Sequence, residues 1–274
     1  MPELPEVETV RQTLLQLVKE KTIERVSVYW GNIIKRPEDP NEFKRQLEGQ
    51  TIRDIDRKGK FMIFYMDDLS LVSHLRMEGK FGVYDASVEK PKHTHVVFHF
   101  TDGTELRYDD VRKFGTMHIF PKGEEFKQKP LILLGPDPFA EAFTLDYFYN
   151  RLKKTSRNIK AVLLDQSVVA GLGNIYVDEA LYQAKIHPER IASSLTKQEA
   201  EELRQASIDI ILTAIDQGGS TIRSYINSQG QIGMFQQQLK VYGKEDTECP
   251  ACGTEITKLK VSGRGTHICP TCQK

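Results

Sequence analysis

The sequence lacks an excess of charge of either sign, because 38 Lys and Arg residues balance 38 Asp and Glu residues. This balance argues against a histone-like polycation, so a nucleic-acid-binding role would need positive charge concentrated on one face. No apolar run reaches the roughly 18 residues that cross a bilayer, and no charged-then-apolar signal peptide is found. We therefore expect a soluble, cytoplasmic protein with no membrane partner.

Cysteine is missing from most of the chain and occurs only as two Cys-x-x-Cys pairs near the C-terminus. In a chain without a secretory signal, this pattern indicates metal binding and not disulfides. Four thiolates from two such turns close a tetrahedral zinc site, which is structural and not catalytic. We predict one structural Zn²⁺ bound by Cys249, Cys252, Cys269 and Cys272.

Internal repeats and low-complexity tracts are also missing, and 274 residues leave room for two domains with separate cores. Residues 5–20 have helical spacing of apolar side chains, whereas residues 22–120 show the alternation and turn signals of strands. Hairpin turns are predicted at Asp67-Asp68 and Asp102-Gly103. The stretch 121–138 is rich in Lys, Glu, Gly and Pro, and predicts a linker. Helical periodicity follows it.

The clearest helix begins after Thr196, which forms a capping-box pattern with Glu199. Gly218 and Gly219 are expected to end this helix. Shorter helices are predicted over residues 158–165 and 174–184, and the cysteine pairs form a small module at the end of the chain.

The sequence opens Met1-Pro2-Glu3-Leu4-Pro5-Glu6. If Met1 is removed, the terminus is a secondary amine with a pKa of about 8, so part of it is unprotonated near neutral pH. This amine can attack an aldehyde-like sugar carbon and give an iminium, which is an electron sink. The alternative is an ordinary helix start, in which Pro5 and Glu6 suit the first turn.

Two glycine-bearing segments suggest phosphate binding. Gly171 and Gly173 precede a helix whose cap we expect to be Asn174, and free amides at a helix start bind phosphate. Residues 262–265 suit a hairpin tip that would present Arg264 to a phosphate. The alternatives are an ordinary interhelical turn and a solvated hairpin.

Each of the remaining candidate residues also has an explanation that involves no function. Lys60 can be a phosphate ligand, a second amine near the reaction centre, or part of a solvent-facing basic turn. Met77, Arg112 and Phe114 can fill the space left by an extruded base, or be core and turn residues. The histidines between residues 74 and 118 lack the spacing of a hydrolytic zinc site, so we interpret most as ordinary strand positions.

These features together resemble the formamidopyrimidine-DNA glycosylase family, bacterial repair enzymes for oxidised purines with associated AP lyase activity. The resemblance covers nearly the whole chain, from Pro2 to Cys272. It rests on five motifs in order: Pro-Glu-Leu-Pro-Glu at 2–6, His-Leu-Arg-Met at 74–77, Arg-Lys-Phe-Gly at 112–115, Gly-Leu-Gly-Asn-Ile-Tyr at 171–176, and the four cysteines.

The resemblance implies an α+β fold with three domains. Residues 1–133 would form an N-terminal two-layer β-sandwich with flanking helices and the catalytic groups. Residues 134–237 would form a helical helix–two-turn–helix module, in which a loop at about 217–236 covers the damaged base. Residues 238–274 would form a β-hairpin zinc finger. From composition alone, the 217–236 stretch could equally be a connector without function.

The resemblance also implies the catalytic groups, residue by residue. Pro2 would form the Schiff base with C1′, Glu3 would assist opening of the sugar ring, and Glu6 would help position the terminus. Lys60 would contact phosphate and assist β-elimination. Arg264 would grip the phosphates and take part in δ-elimination.

The implied DNA contacts include three side chains that fill the void left by the damaged base, with Arg112 facing the orphaned cytosine. Asn174 would bind phosphate from the helix–two-turn–helix module. The complete set of expected DNA-binding residues is His74, Met77, His93, Arg112, Phe114, Lys154, Asn174 and Arg264.

The implied function is base excision repair by a monomer that acts on double-stranded DNA in the bacterial cytoplasm, at the nucleoid when bound. It would excise 8-oxoguanine and formamidopyrimidines and then cleave the strand by β,δ-elimination. One alternative is an endonuclease VIII-like glycosylase for oxidised pyrimidines, which Leu4 and the void-filling set disfavour. A zinc-ribbon DNA-binding protein without catalysis is the alternative of another class, and it would need neither Pro2 nor Glu3.

Overall fold

A computed structural model describes residues 1–220 and 233–274 of the chain. They group into two compact units, Met1–Ile132 with Ser220–Gly233, and Leu133–Gly219 with Met234–Lys274. The first division falls inside the stretch 121–138. Among the described helices, none combines the length and the apolar character needed to span a membrane.

The first unit is built on two sheets and two helices. The elements are α1 (Leu4–Val18), β1 (Ile23–Val28), β2 (Ile34–Arg36), α2 (Pro40–Leu47), β3 (Asp54–Lys58), β4 (Phe61–Tyr65), β5 (Leu69–His74), β6 (Lys80–Asp85), β7 (Thr94–Phe100), β8 (Thr104–Asp109) and β9 (Thr116–Pro121). The four-stranded sheet has the order β1-β7-β8-β6, and the five-stranded sheet has the order β2-β9-β5-β4-β3.

One apolar core joins both sheets and both helices. Phe98 of the four-stranded sheet and Phe64 of the five-stranded sheet belong to the same buried cluster as Val10 of α1 and Phe43 of α2. Phe64 also meets Phe81 of the other sheet edge-on, with ring centroids 5.4 Å apart. The sheets therefore form the two layers of the predicted sandwich.

The predicted hairpins are confirmed. Asp67-Asp68 lies between β4 and β5, and Asp102-Gly103 lies between β7 and β8, where Gly103 has φ +85°. Apolar and polar residues alternate along β7, yet neither face of the strand is exposed, since every residue of Thr94–Phe100 is buried. Its polar side chains have partners: His95 Nε2 lies 2.8 Å from the carbonyl oxygen of Asp110, and His99 Nδ1 lies 2.8 Å from Glu105.

The described part of the second unit contains four α-helices, short 3₁₀ helices and one hairpin. Thr196 caps the longest helix, accepting a hydrogen bond from Glu199 N at 3.2 Å, so the predicted capping box is confirmed. Gly218 and Gly219 end it with φ +72° and +77°. The elements are α3 (Leu145–Lys153), α4 (Ile159–Leu164), α5 (Asn174–Gln183), α6 (Lys197–Asp216), β10 (Thr257–Val261) and β11 (Arg264–Ile268).

The connection between α4 and α5 is organised by one side chain. Gln166 donates to the carbonyl oxygens of Leu164 and Leu172 at 3.0 and 2.9 Å, and its Oε1 accepts from Gly171 N at 2.9 Å. The tight double turn places the first residue of α5 beside the hairpin. Together with the two-sheet first unit, this helical module and the C-terminal hairpin confirm the predicted α+β fold class.

Candidate functional site

The start of α1 buries the N-terminal segment and its two carboxyl groups. Glu3 is the N-cap residue, and its backbone N–H donates to Glu6 Oε2 at 2.8 Å in a reciprocal capping box. Glu3 is 3% exposed, and Pro2 and Glu6 are also buried. The helix start is therefore real, and it holds two carboxyl groups close to Pro2 in the chain.

The second carboxylate oxygen of Glu6 reaches a distant part of the sequence. Glu6 Oε1 accepts from Ser220 N at 2.7 Å and from Ser220 Oγ at 3.1 Å. One buried carboxylate thus bridges the backbone at Glu3 and the backbone at Ser220. Residues 221–232 of the predicted loop 217–236 lie outside the described residues.

Lys60 lies in the tight turn between β3 and β4. It is 5% exposed, so a solvent-facing basic turn is the wrong interpretation. Arg57 holds the turn by donating to the Gly59 carbonyl oxygen at 2.9 Å and to Glu8 of α1 at 3.1 Å. Since Gly59 has φ +56°, this turn geometry favours glycine. Helix α1 therefore anchors both the N-terminal segment and the Lys60 turn.

His74 ends β5 opposite Phe61, and the two rings meet edge-on with centroids 4.4 Å apart. Burial, with the nearby charges of Arg76 and Lys60, lowers the pKa of His74 to about 3. The imidazole is therefore neutral near pH 7. Its Nδ1 accepts from Arg76 N at 2.8 Å, which leaves Nε2 as the protonated nitrogen.

The three predicted void-filling residues are exposed on two turns. Met77 is 39% exposed on the turn after β5, and Phe114 is 51% exposed on the turn after β8. The Arg112 guanidinium carbon lies 4.8 Å from the centroid of the Phe114 ring. These residues are not core residues, so their side chains are available to a partner.

His93 lies beside the second of these turns. It is half-buried just before β7, and its carbonyl oxygen accepts from Asp110 N at 3.0 Å. This backbone bond brings His93 next to the segment that leads to Arg112. Lys154, by contrast, is exposed at the C-terminal end of α3 in the other unit.

The prediction that Asn174 caps α5 is wrong. Gly173 is the N-cap residue, and Asn174 is the first residue of the helix. Its side chain is used elsewhere, because Nδ2 donates to the carbonyl oxygen of Gly265 at 2.8 Å. Its Oδ1 is buried without a hydrogen-bond partner in the described structure. The side chain therefore joins α5 to the zinc-finger hairpin.

Arg264 lies at the predicted hairpin tip. It is exposed at the start of β11, directly opposite Val261, and the tip residues Ser262 and Gly263 have φ +50° and +76°. Asn158, the cap of α4, donates to Ser262 Oγ at 2.9 Å. The tip is thus fixed against the helical module while the Arg264 side chain stays exposed.

A buried ion pair, which the sequence analysis missed, also holds this hairpin against the helices. Lys160 and Asp178 are both fully buried, with Nζ 2.6 Å from Oδ1. Lys160 also donates to Thr266 Oγ1 at 2.8 Å, and the other Asp178 oxygen accepts from His267 N at 2.9 Å. The pair therefore joins α4 and α5 to β11.

The four cysteines form a site of the size that zinc requires. Their sulfur atoms all lie within 4.8 Å of one another, with Sγ distances of 3.9 Å for Cys249–Cys272 and 3.5 Å for Cys252–Cys269. A tetrahedral site with Zn–S bonds of about 2.3 Å needs sulfur atoms about 3.8 Å apart. The donor set fits one structural Zn²⁺, as predicted, and among the described residues it is the one group of three or more His, Cys, Asp or Glu side chains close enough to hold a metal ion.

Three family models match consecutive parts of the chain. Residues 1–117 match the formamidopyrimidine-DNA glycosylase N-terminal domain, residues 134–226 match the H2TH domain of the same enzyme, and residues 248–274 match the zinc finger found in FPG and IleRS. The chain belongs to the formamidopyrimidine-DNA glycosylase family.

Curated relatives and solved structures agree with this family. The formamidopyrimidine-DNA glycosylase of Bacillus licheniformis is 60% identical over 274 residues, with both chains covered fully, and that of Bacillus subtilis is 58% identical, with 100% of this chain and 99% of the relative covered. Wild-type Lactococcus lactis Fpg bound to DNA containing N7-benzyl-Fapy-dG matches with a TM-score of 0.93 and 42% identity over the full length of both chains. A Lactococcus lactis complex with abasic-site DNA gives 0.93 and 41%, with 99% of each chain covered.

Membership of this family confirms the predicted enzyme class, a bifunctional DNA glycosylase and AP lyase. The alternative of a zinc-ribbon binding protein without catalysis is thereby excluded. The zinc-finger match likewise supports the structural assignment of the four cysteines.

The residues that sequence analysis missed are those that hold the predicted ones in place. Lys160 interrupts the apolar run of Ile159–Leu164, and a lysine at a core position of a short helix is a signal for a buried ion pair. Asp178 and Ser220 gave no such signal, because their partners are far away in the sequence.

Proposed function

We propose that this chain excises oxidised purines from double-stranded DNA through a Schiff base on Pro2 and then cleaves the strand at the abasic site. The observation that carries the proposal is the burial of the Glu3 and Glu6 carboxyl groups at the start of the helix that follows Pro2. The Lactococcus lactis relatives, which hold Fapy-dG and abasic DNA, support this substrate class.

The first chemical step needs a free Pro2 amine, and therefore removal of Met1. The amine lone pair attacks C1′ while the glycosidic bond breaks, and the base leaves with the electrons of that bond. The proton that the Pro2 nitrogen loses is taken up by the departing base. Glu3 protonates the ring oxygen as the sugar opens, which leaves a positively charged iminium between Pro2 and C1′. The Glu3–Glu6 capping box fixes the backbone that carries the nucleophile.

The iminium then drives strand cleavage. It acidifies the proton on C2′, and loss of this proton expels the 3′ phosphate in β-elimination. A second elimination expels the 5′ phosphate and leaves a one-nucleotide gap. We assign to Lys60 the phosphate contact that assists the first elimination, and neutral His74 has an Nε2 proton to donate to a phosphate oxygen.

DNA binding in this proposal draws on both units. Exposed Met77, Arg112 and Phe114 fill the space left by the extruded base, which offsets an unstacking cost of a few kcal/mol. The other contacts are phosphate contacts that set the register of the duplex. They are assigned to His93 in the first unit, and to Lys154, Asn174 and Arg264 in the second.

Zn²⁺, when bound, cross-links the two Cys-x-x-Cys turns and so stiffens the hairpin that carries Arg264. Tyr182 of α5 supports the metal site, since its hydroxyl lies 3.2 Å from Cys249 Sγ. We further propose that the enzyme acts as a monomer in the bacterial cytoplasm.

Borohydride trapping tests the proposal. Protein whose Met1 removal has been verified by mass spectrometry is incubated with duplexes containing 8-oxoguanine opposite cytosine, an oxidised pyrimidine or an abasic site, and then reduced. We expect a covalent adduct with 8-oxoguanine DNA. Glu3→Gln should form this adduct at least about 100-fold more slowly, since general acid catalysis contributes 10²–10⁴-fold to a reaction rate. Glu202→Gln, an exposed change on α6, is the matched control.

Two results would contradict the proposal. Preference for the oxidised pyrimidine would assign the chain to endonuclease VIII-like chemistry. Tight binding of the 8-oxoguanine duplex without a trapped adduct, by protein that begins at Pro2, would remove Pro2 from the mechanism.

A further inference from the structure

The two turns that carry the void-filling side chains run side by side between the sheets. The first turn connects β5 to β6, and the second connects β8 to β9. His74 at the end of β5 pairs with Thr116 at the start of β9, and Lys80 at the start of β6 pairs with Asp109 at the end of β8. Each turn therefore begins where the other one ends, and neighbouring strands hold them together at both sides.

One buried hydroxyl group touches both turns. Tyr108, near the end of β8, is fully buried, and its ring packs on Phe81 with centroids 5.1 Å apart. A Cβ atom added to Gly79, in the first turn, would overlap the Tyr108 hydroxyl and lie 2.9 Å from Cζ. A Cβ atom added to Gly115, in the second turn, would overlap the same hydroxyl and lie 2.6 Å from Cζ. Both turns thus close on Tyr108 at positions where only glycine fits.

A buried carboxylate shapes the second turn around the same hydroxyl. Asp110 is 1% exposed, and its side chain accepts from Arg112 N at 3.0 Å and from Phe114 N and Gly115 N at 2.9 Å each. The Tyr108 hydroxyl donates to the same carboxylate at 3.3 Å. The backbone that presents Arg112 and Phe114 is therefore bound to Tyr108, against which Gly79 of the Met77 turn also packs.

We infer that Tyr108 and Asp110 are positioning residues that couple the Met77 turn to the Arg112–Phe114 turn, so that the three side chains enter the duplex as one rigid wedge. The inference rests on the proposed function, because it assigns the coupling to base extrusion. Side chains on two independent turns would have to be ordered separately at each encounter with DNA, whereas coupled turns are already ordered before binding.

Removal of the hydroxyl alone tests the coupling. Tyr108→Phe keeps the ring in the core and removes the contact shared by Gly79, Gly115 and Asp110. We expect the single-turnover rate of 8-oxoguanine excision to fall at least about fivefold, the effect of one lost hydrogen bond. Cleavage of a duplex with a preformed abasic site should change less than about twofold, because no base has to be extruded. Tyr84→Phe, in the same sheet, is the matched control and should leave both rates unchanged.

A second readout separates coupling from general destabilisation. In a background with Met77→Ala and Phe114→Ala the wedge is already truncated, so Tyr108→Phe should cause little further loss of 8-oxoguanine excision. Zinc content and thermal midpoint are measured for every variant. Gly115→Ala, whose added methyl group would meet only Tyr108 among its three nearest neighbouring atoms, should lower excision while sparing abasic-site cleavage.

The outcomes are distinguishable. Equal losses on both substrates, or a full fivefold loss in the truncated background, would overturn the coupling while the proposed function stands. An unchanged rate of 8-oxoguanine excision by Tyr108→Phe would also overturn the coupling while the proposed function stands. A wild-type protein that fails to excise 8-oxoguanine would overturn the proposed function and this inference with it.

Discussion

The buried ion pair between Lys160 and Asp178 gives the sharpest stability prediction. Both side chains are fully buried, and together they join α4, α5 and the strand that follows Arg264. The variant Asp178→Asn keeps the size of the side chain but removes the carboxylate charge 2.6 Å from the buried Lys160 ammonium. Thr266 Oγ1 at 2.8 Å and the Gly265 carbonyl oxygen at 3.3 Å remain as its neutral acceptors.

The expected magnitude follows from burial. Breaking a buried pair by removing one partner costs about 3–5 kcal/mol, because an uncompensated charge stays in the interior. For a protein of this size, each kcal/mol shifts the thermal midpoint by roughly 2–4 °C, so the variant should melt roughly 6–20 °C lower. The hairpin that carries Arg264 should be affected first, since the pair holds it to the helices.

Thermal and urea unfolding at constant zinc concentration measure this effect. Lys197→Met is the control, because Lys197 pairs with Asp146 at 2.8 Å on the surface, where an ion pair contributes at most about 1 kcal/mol. The double variant Lys160→Met/Asp178→Leu should regain only part of the stability, since an apolar pair replaces the ions but leaves the buried His267 N–H without its acceptor. A loss below about 1 kcal/mol for Asp178→Asn would show that the buried pair is not what stabilises this part of the fold.

Three further predictions follow from individual contacts. Chelation of zinc should unfold the hairpin module, whose small core centres on Val241 and Ile256, and should abolish DNA binding, as circular dichroism and gel-shift titration would report. Burial lowers the pKa of His74 to about 3, below the usual value of about 6.5, so the unfolded chain binds the extra proton and the unfolding free energy should fall as pH falls between these values. In urea unfolding across this window, the unfolding free energy of His74→Gln should change with pH by up to about 1.4 kcal/mol per pH unit less than that of the wild type. An equal pH dependence in both proteins would show that His74 does not contribute to it. Thr196→Ala should cost about 1 kcal/mol of unfolding free energy through loss of the α6 cap, without changing the yield of trapped adduct.

Local signals in the sequence predict the elements of this fold well. The capping box at Thr196, the Asp102-Gly103 hairpin and the glycine pair after α6 each involve residues within a few positions of one another, and each is confirmed. The cysteine pairs are likewise local, since each Cys-x-x-Cys turn fixes two ligands. Such features depend on backbone geometry that a short segment determines alone.

Contacts between distant segments account for what the sequence could not predict. Periodicity cannot show that Lys60 is buried, because its burial depends on how its turn packs in the folded unit. Arg57 in the same turn, for example, donates to Glu8 of α1, 49 residues away. Asn174 has the composition of a helix cap, yet its amide donates to Gly265, 91 residues away. In both cases tertiary packing decides between two local possibilities that are each physically reasonable.

Glu6 shows why the two kinds of information have to be combined. The family resemblance implies that Glu6 helps to position the terminus, and in the structure its Oε2 accepts from the backbone N–H of Glu3. The other oxygen bonds Ser220, 214 residues away, which no local pattern indicates. A carboxylate has two oxygens. In Glu6, one accepts from the backbone of Glu3, directly after the proposed nucleophile, and the other accepts from Ser220, directly before residues 221–232. A change at Glu6 therefore acts on both segments at once, and loss of activity in such a variant would not by itself identify Glu6 as a proton donor.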